Sequence, residues 1–176
     1  IPMQSGSDKV LKDMKRRYKV DVYVDRIEYI KSIDSYACIG SDVIVGFPTE
    51  TNNDFQETYN LIDSLPLSYL HVFPYSGRLN TLATQLDNIV SDSTKKDRSL
   101  ILRKLSILKN KVFYNLNQGK TQQVLFEDYN DDNLMGFSSN YIKVRVKGKK
   151  EYQNKILDIK LNEVKQNFMT GDFNYE

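Results

Sequence analysis

The sequence predicts an α/β region followed by a small all-β barrel, and three observations predict it. Over about the first 117 residues, short β-branched apolar runs alternate with segments of helical period, as in parallel strands joined by crossover helices. Beyond Gln118-Gly119 the apolar period falls to two and turn residues recur between the runs, as in a small barrel. A length of 176 residues accommodates one ordinary domain with a small module. The expected domains are therefore 1–117 and 118–176.

In chain order, the opening run to Gln4-Ser5 reads as a strand end feeding a helix. Its start at Ile1, with no initiator Met and no leader, reads as an entry inside a fold whose earlier strands lie upstream. Ser5 and Asp8 give a capping-box signal for a helix with Val10, Leu11, Met14 and Tyr18 on one side. A second helix, about 22–35, carries Tyr23, Ile27, Ile30 and Ile33 in register. Ile39 to Phe47 is nearly continuously apolar, which suits a strand buried on both faces, and Pro48 stops it. Thr51 and Asp54 cap a third helix marked by Phe55, Thr58, Ile62 and Leu65. Tyr69 to Phe73 is the next buried-strand candidate, ended by Pro74 and followed by a polar loop over 75–81. A long helix at about 94–116 has Ile101, Leu105, Leu108 and Val112 as its expected apolar side. In the second region, Val124–Glu127, Asn140–Lys147 and Lys155–Val164 read as strands, and Asn130 to Asn133 as a turn.

Composition excludes several classes. At 40% apolar and 27% charged residues the chain has enough core-forming side chains to be globular rather than disordered. A formal net charge of +2 is too small to argue for a nucleic-acid partner, so the distribution of charge has to be read instead. No apolar run approaches membrane-span length. One Cys (Cys38) and one His (His71) exclude an internal disulfide framework and cannot by themselves complete a structural zinc or iron–sulfur site. This cysteine usage suits a cytoplasmic protein.

Candidate functional residues cluster at strand ends. Gln4 and Ser5 are placed to hydrogen-bond sugar hydroxyls, or else Ser5 is only an N-cap and Gln4 a solvated polar group. Gly46, before Phe47-Pro48, admits close backbone approach of a ligand, or else simply ends the strand. His71 in an apolar strand reads as a satisfied core residue rather than a base. Arg16 and Arg17 suit either an anionic ligand or the end of the first helix, and Arg78 either a carboxylate or phosphate, or solvent. In the second region Lys143, Arg145, Lys147 and Lys149 alternate with Ile142, Val144, Val146 and Gly148, so one strand face is cationic. With Tyr141 and Tyr152 nearby to stack on bases, that face is a candidate RNA surface, or else a solvated outer face.

Three segments carry a resemblance: Met3-Gln-Ser-Gly-Ser-Asp with Met14-x-Arg16-x-Tyr18, then Asp42-Val-Ile-Val-Gly-Phe-Pro-Thr-Glu-Thr, then His71-Val-Phe-Pro-Tyr-Ser-Gly-Arg78. In that order and spacing they resemble the radical S-adenosylmethionine methylthiotransferases. The His-Val-Phe-Pro-Tyr-Ser form is most similar to the branch that modifies threonylcarbamoyl-adenosine beside the tRNA anticodon. The resemblance implies the last βα units of a partial (β/α) barrel, then a TRAM domain, a small RNA-binding barrel. It implies S-adenosylmethionine as cofactor, tRNA as partner and two 4Fe–4S clusters whose ligands are absent from this chain. A cluster domain and the first half of the barrel would lie upstream, so this chain alone should be inactive. By resemblance Gln4 and Ser5 fall on the ribose contact. Ile44 and Gly46 fall on the adenine and methionine contacts, and Val72 and Phe73 on the adenine. Arg16 is a candidate for the cofactor carboxylate, and Arg78 for the substrate entrance. The chain departs from the family where Thr49 and Asn80 replace glycines, which puts the loop geometry at Thr49 in question. The alternatives are an RNA-binding accessory module, or a related enzyme acting on another tRNA adenosine or on a ribosomal protein.

Overall fold

A computed structural model of the chain describes residues 1–77, 81–86 and 88–174. It divides into two compact units, Ile1–Asn110 and Lys111–Glu176.

The first unit runs α1 (Asp8–Asp13), α2 (Val20–Ile33), β1 (Gly40–Val45), α3 (Asn52–Ser64), β2 (Tyr69–Pro74) and then into α4 (Asp92–Leu116). β1 and β2 pair in parallel with Ile44 opposite Phe73, and Gln4 bridges to Val43 on the far edge of β1. Burial alternates along β1, with Ser41, Val43 and Val45 buried and the residues between them half-buried. The expectation of strands buried on both faces is therefore corrected. One sheet face packs into a core of Met3, Tyr23, Ile27, Phe55, Ile62 and Leu102, and the other lines a cavity. His71 lies on that second, exposed side rather than in the core.

Helix termini explain two more differences. Ser5 is not an N-cap. Ser7 occupies the N-cap of α1, and Asp8 Oδ1 instead accepts the Val20 N–H at the start of α2 (2.8 Å). The Thr51–Asp54 capping box is present in full at α3. In α4 the expected apolar stripe is rotated. Leu105 is buried, but Ile101, Leu108 and Val112 are 43, 60 and 66% exposed, while Arg98, Ser99 and Leu102 turn inward. Polar residues were recruited to the inner face because they have work there. Arg98 meets Glu50, and Ser106 covers the outer edge of β2, where its hydroxyl accepts the Leu70 N–H (2.8 Å) and donates to the Leu70 carbonyl (3.4 Å). Arg103 reaches the next edge carbonyl, that of Val72, at 3.4 Å. Ile33, expected on the inner face of α2, is 70% exposed.

The second unit is a closed barrel of β3 (Thr121–Asn130), β4 (Asn133–Ser138), β5 (Lys143–Lys147), β6 (Ile156–Val164) and β7 (Met169–Phe173), ordered β3-β4-β5-β7-β6. Val124, Phe126, Leu134, Val144, Ile159 and Leu161 fill its interior. Two strands escape the sequence pattern, β4 and β7. β4 returns from β3 through Asp131 and Asp132, both at positive φ (48° and 57°), the geometry of a tight hairpin turn. Gly136 of β4 is required by space, since a Cβ there would lie 1.9 Å from the Leu125 carbonyl oxygen. The expected strand over Asn140–Lys147 starts later, at Lys143. Residues 140–142 form a turn in which Tyr141 adopts φ 62° and the Ser138 hydroxyl accepts the Ile142 N–H.

Candidate functional site

At the carboxyl ends of β1 and β2, a cavity of about 590 Å³ is lined by Gln4, Arg16, Asp42, Ile44, Phe73 and the Pro74–Ser76 segment, with Thr81 and Ala83. Strand parity builds it. Asp42 and Ile44 are two apart and share a face, and Phe73 is the register partner of Ile44. Gln4 joins the same row through two backbone bonds, its N–H to the Asp42 carbonyl and its carbonyl from the Ile44 N–H, both 2.9 Å. It takes a positive φ of 67° to do so. Tyr18 anchors this segment by donating its hydroxyl to the Met3 carbonyl (3.0 Å), and burial raises its pKa. Ile44 and the half-exposed Phe73 give a flat apolar surface, Gln4 an amide, Asp42 a carboxylate and Arg16 an exposed guanidinium.

Four of the residues expected at the cofactor site are thus brought together: Gln4, Arg16, Ile44 and Phe73. Three are not: Val72 and Ser5 for the same reason of parity, and Gly46, which shares the parity of Ile44, because the chain leaves the strand there in a left-handed turn. Val72 is buried on the core face, as the neighbour of Phe73 in a strand must be. Ser5 is fully buried, its hydroxyl accepting the Ser7 N–H and paired with the Thr58 hydroxyl at 3.3 Å. Gly46 has φ 73° and its N–H is taken by Glu50 Oε2 at 2.7 Å. A Cβ there would meet the Lys95 side chain at 2.3 Å. Arg78 lies outside the described residues. Asp42 was missed as a site residue, although its spacing of two from Ile44 was the signal that finds it.

The loop after β1 is held from beneath. Glu50, 4% exposed, forms a buried ion pair with Arg98 of α4. Burial pushes its carboxyl above the ordinary range, against the opposing pull of the Gly46 N–H and Arg98. Its Oε1 is buried without a hydrogen-bond partner among the described residues. Thr49 adopts φ 79°, the left-handed conformation that suits glycine. Its hydroxyl donates to Asp13 Oδ2 (2.5 Å) and its carbonyl accepts from Lys9 Nζ (2.8 Å). The glycine-like turn is therefore kept, stabilised by side chains of α1. Asp54 at the next cap is buried, which raises its pKa, yet hydrogen bonds from Thr51 and Ser7 together with Lys9 outweigh this and hold it below the ordinary value.

On the barrel, the alternation along β5 places Val144 and Val146 inside and Arg145 and Lys147 outside, with Lys143 half-buried. Lys149 lies beyond the strand, 3.9 Å from Glu151. Arg145 stacks on Phe168 at 4.3 Å. Tyr141 is 75% exposed beside this face. Tyr152 is not available in the same way, because it packs on Phe173 at 5.2 Å. Among the described residues no group of three or more His, Cys, Asp and Glu is arranged to hold a metal ion, and no helix is long and apolar enough to cross a membrane.

Comparison with known proteins gives concordant results. The family model of the radical SAM superfamily matches residues 1–62. The threonylcarbamoyladenosine tRNA methylthiotransferase MtaB of Bacillus subtilis (strain 168) is 35% identical over 98% of this chain and 40% of its own length. The protein of the same name from Aquifex aeolicus (strain VF5) is 40% identical over 86% of this chain and 36% of its own. A tRNA-2-methylthio-N(6)-dimethylallyladenosine synthase from Sulfurimonas denitrificans is 33% identical over 98% of this chain and 40% of its own. The chain spans well under half the length of these relatives.

Proposed function

We propose that the chain, which matches the radical SAM superfamily over residues 1–62 and is similar to tRNA methylthiotransferases over most of its length, is part of such an enzyme and supplies one wall of its S-adenosylmethionine site together with an RNA-binding barrel. The observation that carries this reading is the convergence of Gln4, Arg16, Ile44 and Phe73 on one cavity. The donor set there fits S-adenosylmethionine. Ile44 and Phe73 would face the adenine, Gln4 and Asp42 the hydroxyls and amino group, and Arg16 the carboxylate. When bound, that cofactor supplies the oxidising power for C–H activation and the methyl group. The residues of this chain bind it, orient it and keep water from it.

In this reading residues 118–176 are a TRAM domain gripping tRNA through Lys143, Arg145, Lys147 and Lys149, with Tyr141 stacking on a base and Arg78 lining the substrate entrance. The modified nucleoside is threonylcarbamoyl-adenosine, at adenine C2. The His71-Val-Phe-Pro-Tyr-Ser form supports this branch, although synthases named for dimethylallyladenosine match at similar identity. The chain has one Cys and so lacks cluster ligands, and it should be inactive without cluster-bearing residues.

The test is tRNA from a strain deleted for the gene. Loss of the methylthio group from threonylcarbamoyl-adenosine is expected, and its retention overturns the assignment. Changing Lys143, Arg145 and Lys147 together to Ala should weaken tRNA binding and flatten its salt dependence. Unchanged affinity and slope would remove the barrel face from the reading.

A further inference from the structure

A second cavity, of about 480 Å³, shares Pro74, Tyr75 and Ser76 with the first. The rest of its lining comes mainly from one side of α4, where Lys95, Lys96, Ser99, Leu100 and Arg103 recur at helical spacing. None of these residues belongs to the cofactor site.

The chemistry of this cavity is two-sided. Leu100, 53% exposed, and Pro74 offer apolar surface. Lys95, Lys96 and Arg103 bring cations, against the carboxylates of Asp92 and Asp97. Asp92 is already held by Lys95 at 3.1 Å. Ser99 is 4% exposed, and its hydroxyl is buried without a hydrogen-bond partner among the described residues, as is that of Tyr75. Buried hydroxyls normally find a partner, and one that lacks it inside a lined cavity points to a ligand oxygen. An inorganic anion would use the cations and the hydroxyls but leave the apolar wall bare. A nucleotide uses all three.

We infer that this cavity holds the nucleotide adjoining the one presented to the first cavity. Its phosphate lies against Lys96, Arg103 and the Ser99 hydroxyl, and its base against Leu100 and Pro74. The shared wall of Pro74, Tyr75 and Ser76 sets this cavity beside the one that would hold the cofactor, so a strand whose target nucleotide is presented there has its neighbouring nucleotide within reach of the second. The inference rests on the RNA reading above and adds a phosphate contact on the α/β unit to those on the barrel.

The test uses the 176-residue chain and a fluorescein-labelled anticodon stem-loop RNA, read by anisotropy across a salt series. Lys96→Ala with Arg103→Ala should raise Kd about tenfold and reduce the salt slope by about 0.7, one single-strand phosphate contact. Lys96→Ala alone, which leaves the β2 edge untouched, should raise Kd about threefold, roughly half the electrostatic contribution. Leu100→Asp should weaken binding, and a 4-thiouridine beside the target adenosine should crosslink to the peptide containing Leu100. If the chain binds and the Lys143/Arg145/Lys147 variant weakens while the Lys96, Arg103 and Leu100 variants keep wild-type Kd and slope, this inference is overturned and the RNA reading stands. If the unaltered chain does not bind the stem-loop, both fall.

Discussion

In the barrel each of β3 to β7 has a strand neighbour on both sides, whereas β1 and β2 have one full partner each. The α/β unit completes its edges by other means, a single bridge at Gln4 on one side and the side chains of Ser106 and Arg103 on the other. A closed sheet satisfies its backbone internally and leaves its outer face free to be charged. An open sheet depends on individual side chains, and it is along this open sheet that the candidate cofactor cavity lies. The difference teaches where each unit is vulnerable: the barrel to loss of space, the α/β unit to loss of one polar partner.

The largest effect should come from Gly136→Ala in the barrel. The added Cβ would collide with the Leu125 backbone, and a cost of about 4 kcal/mol or more is expected. Hydrogen exchange read by peptide should show protection lost across β3 and β4; retained protection would mean that the strand pair can spread without penalty. Next is Arg98→Met in the α/β unit, which leaves the Glu50 carboxylate buried beneath the β1 loop and should cost about 3 kcal/mol in urea unfolding. If Glu50→Gln combined with Arg98→Met costs as much as Arg98→Met alone, the stranded charge is not the reason.

Ser106→Ala should cost about 1–2 kcal/mol, by stranding the Leu70 N–H, and should speed its exchange specifically. Asp54 gives a pH test. Its folded pKa is held below the unfolded value of about 3.9, so its stabilisation is present above that value and lost as pH falls through the folded one. Asp54→Asn should therefore lower Tm at neutral pH and flatten its decline in acid. A parallel decline would assign the acid sensitivity elsewhere. Smallest is Thr49→Gly. Relief of left-handed strain offsets the lost bond to Asp13, leaving a net change within about 1 kcal/mol, whereas Thr49→Val keeps the strain and should be worse.

Much of this was legible in the residues. The Thr51–Asp54 cap is a local motif whose partners lie three residues apart, so sequence spacing alone specifies it. The cationic face of β5 follows from alternation over a short, regular strand. What failed did so because a distant partner decided it. The α4 stripe was misplaced because Leu102 faces the core in company with Arg98 and Ser106, polar residues whose targets lie on other elements. β4 was missed because Gly136 and Asn133 break its apolar pattern, and β7 because Gly171 and Asp172 do the same. At the candidate cofactor site the motifs pointed to strand ends that line a cavity, but only backbone parity separates Phe73, which lines it, from Val72, which does not.

The Ser106 hydroxyl occupies both edge groups of Leu70, and Arg103 takes the carbonyl of Val72. The two-stranded sheet is therefore a polymer with one blocked end. A further strand, whatever chain supplies it, can add only on the side where Gln4 meets Val43, and that is the side on which the cavity residues Gln4 and Arg16 stand. Sheet growth and completion of the cavity thus share one direction, so a strand that joined the sheet would also build the cavity wall.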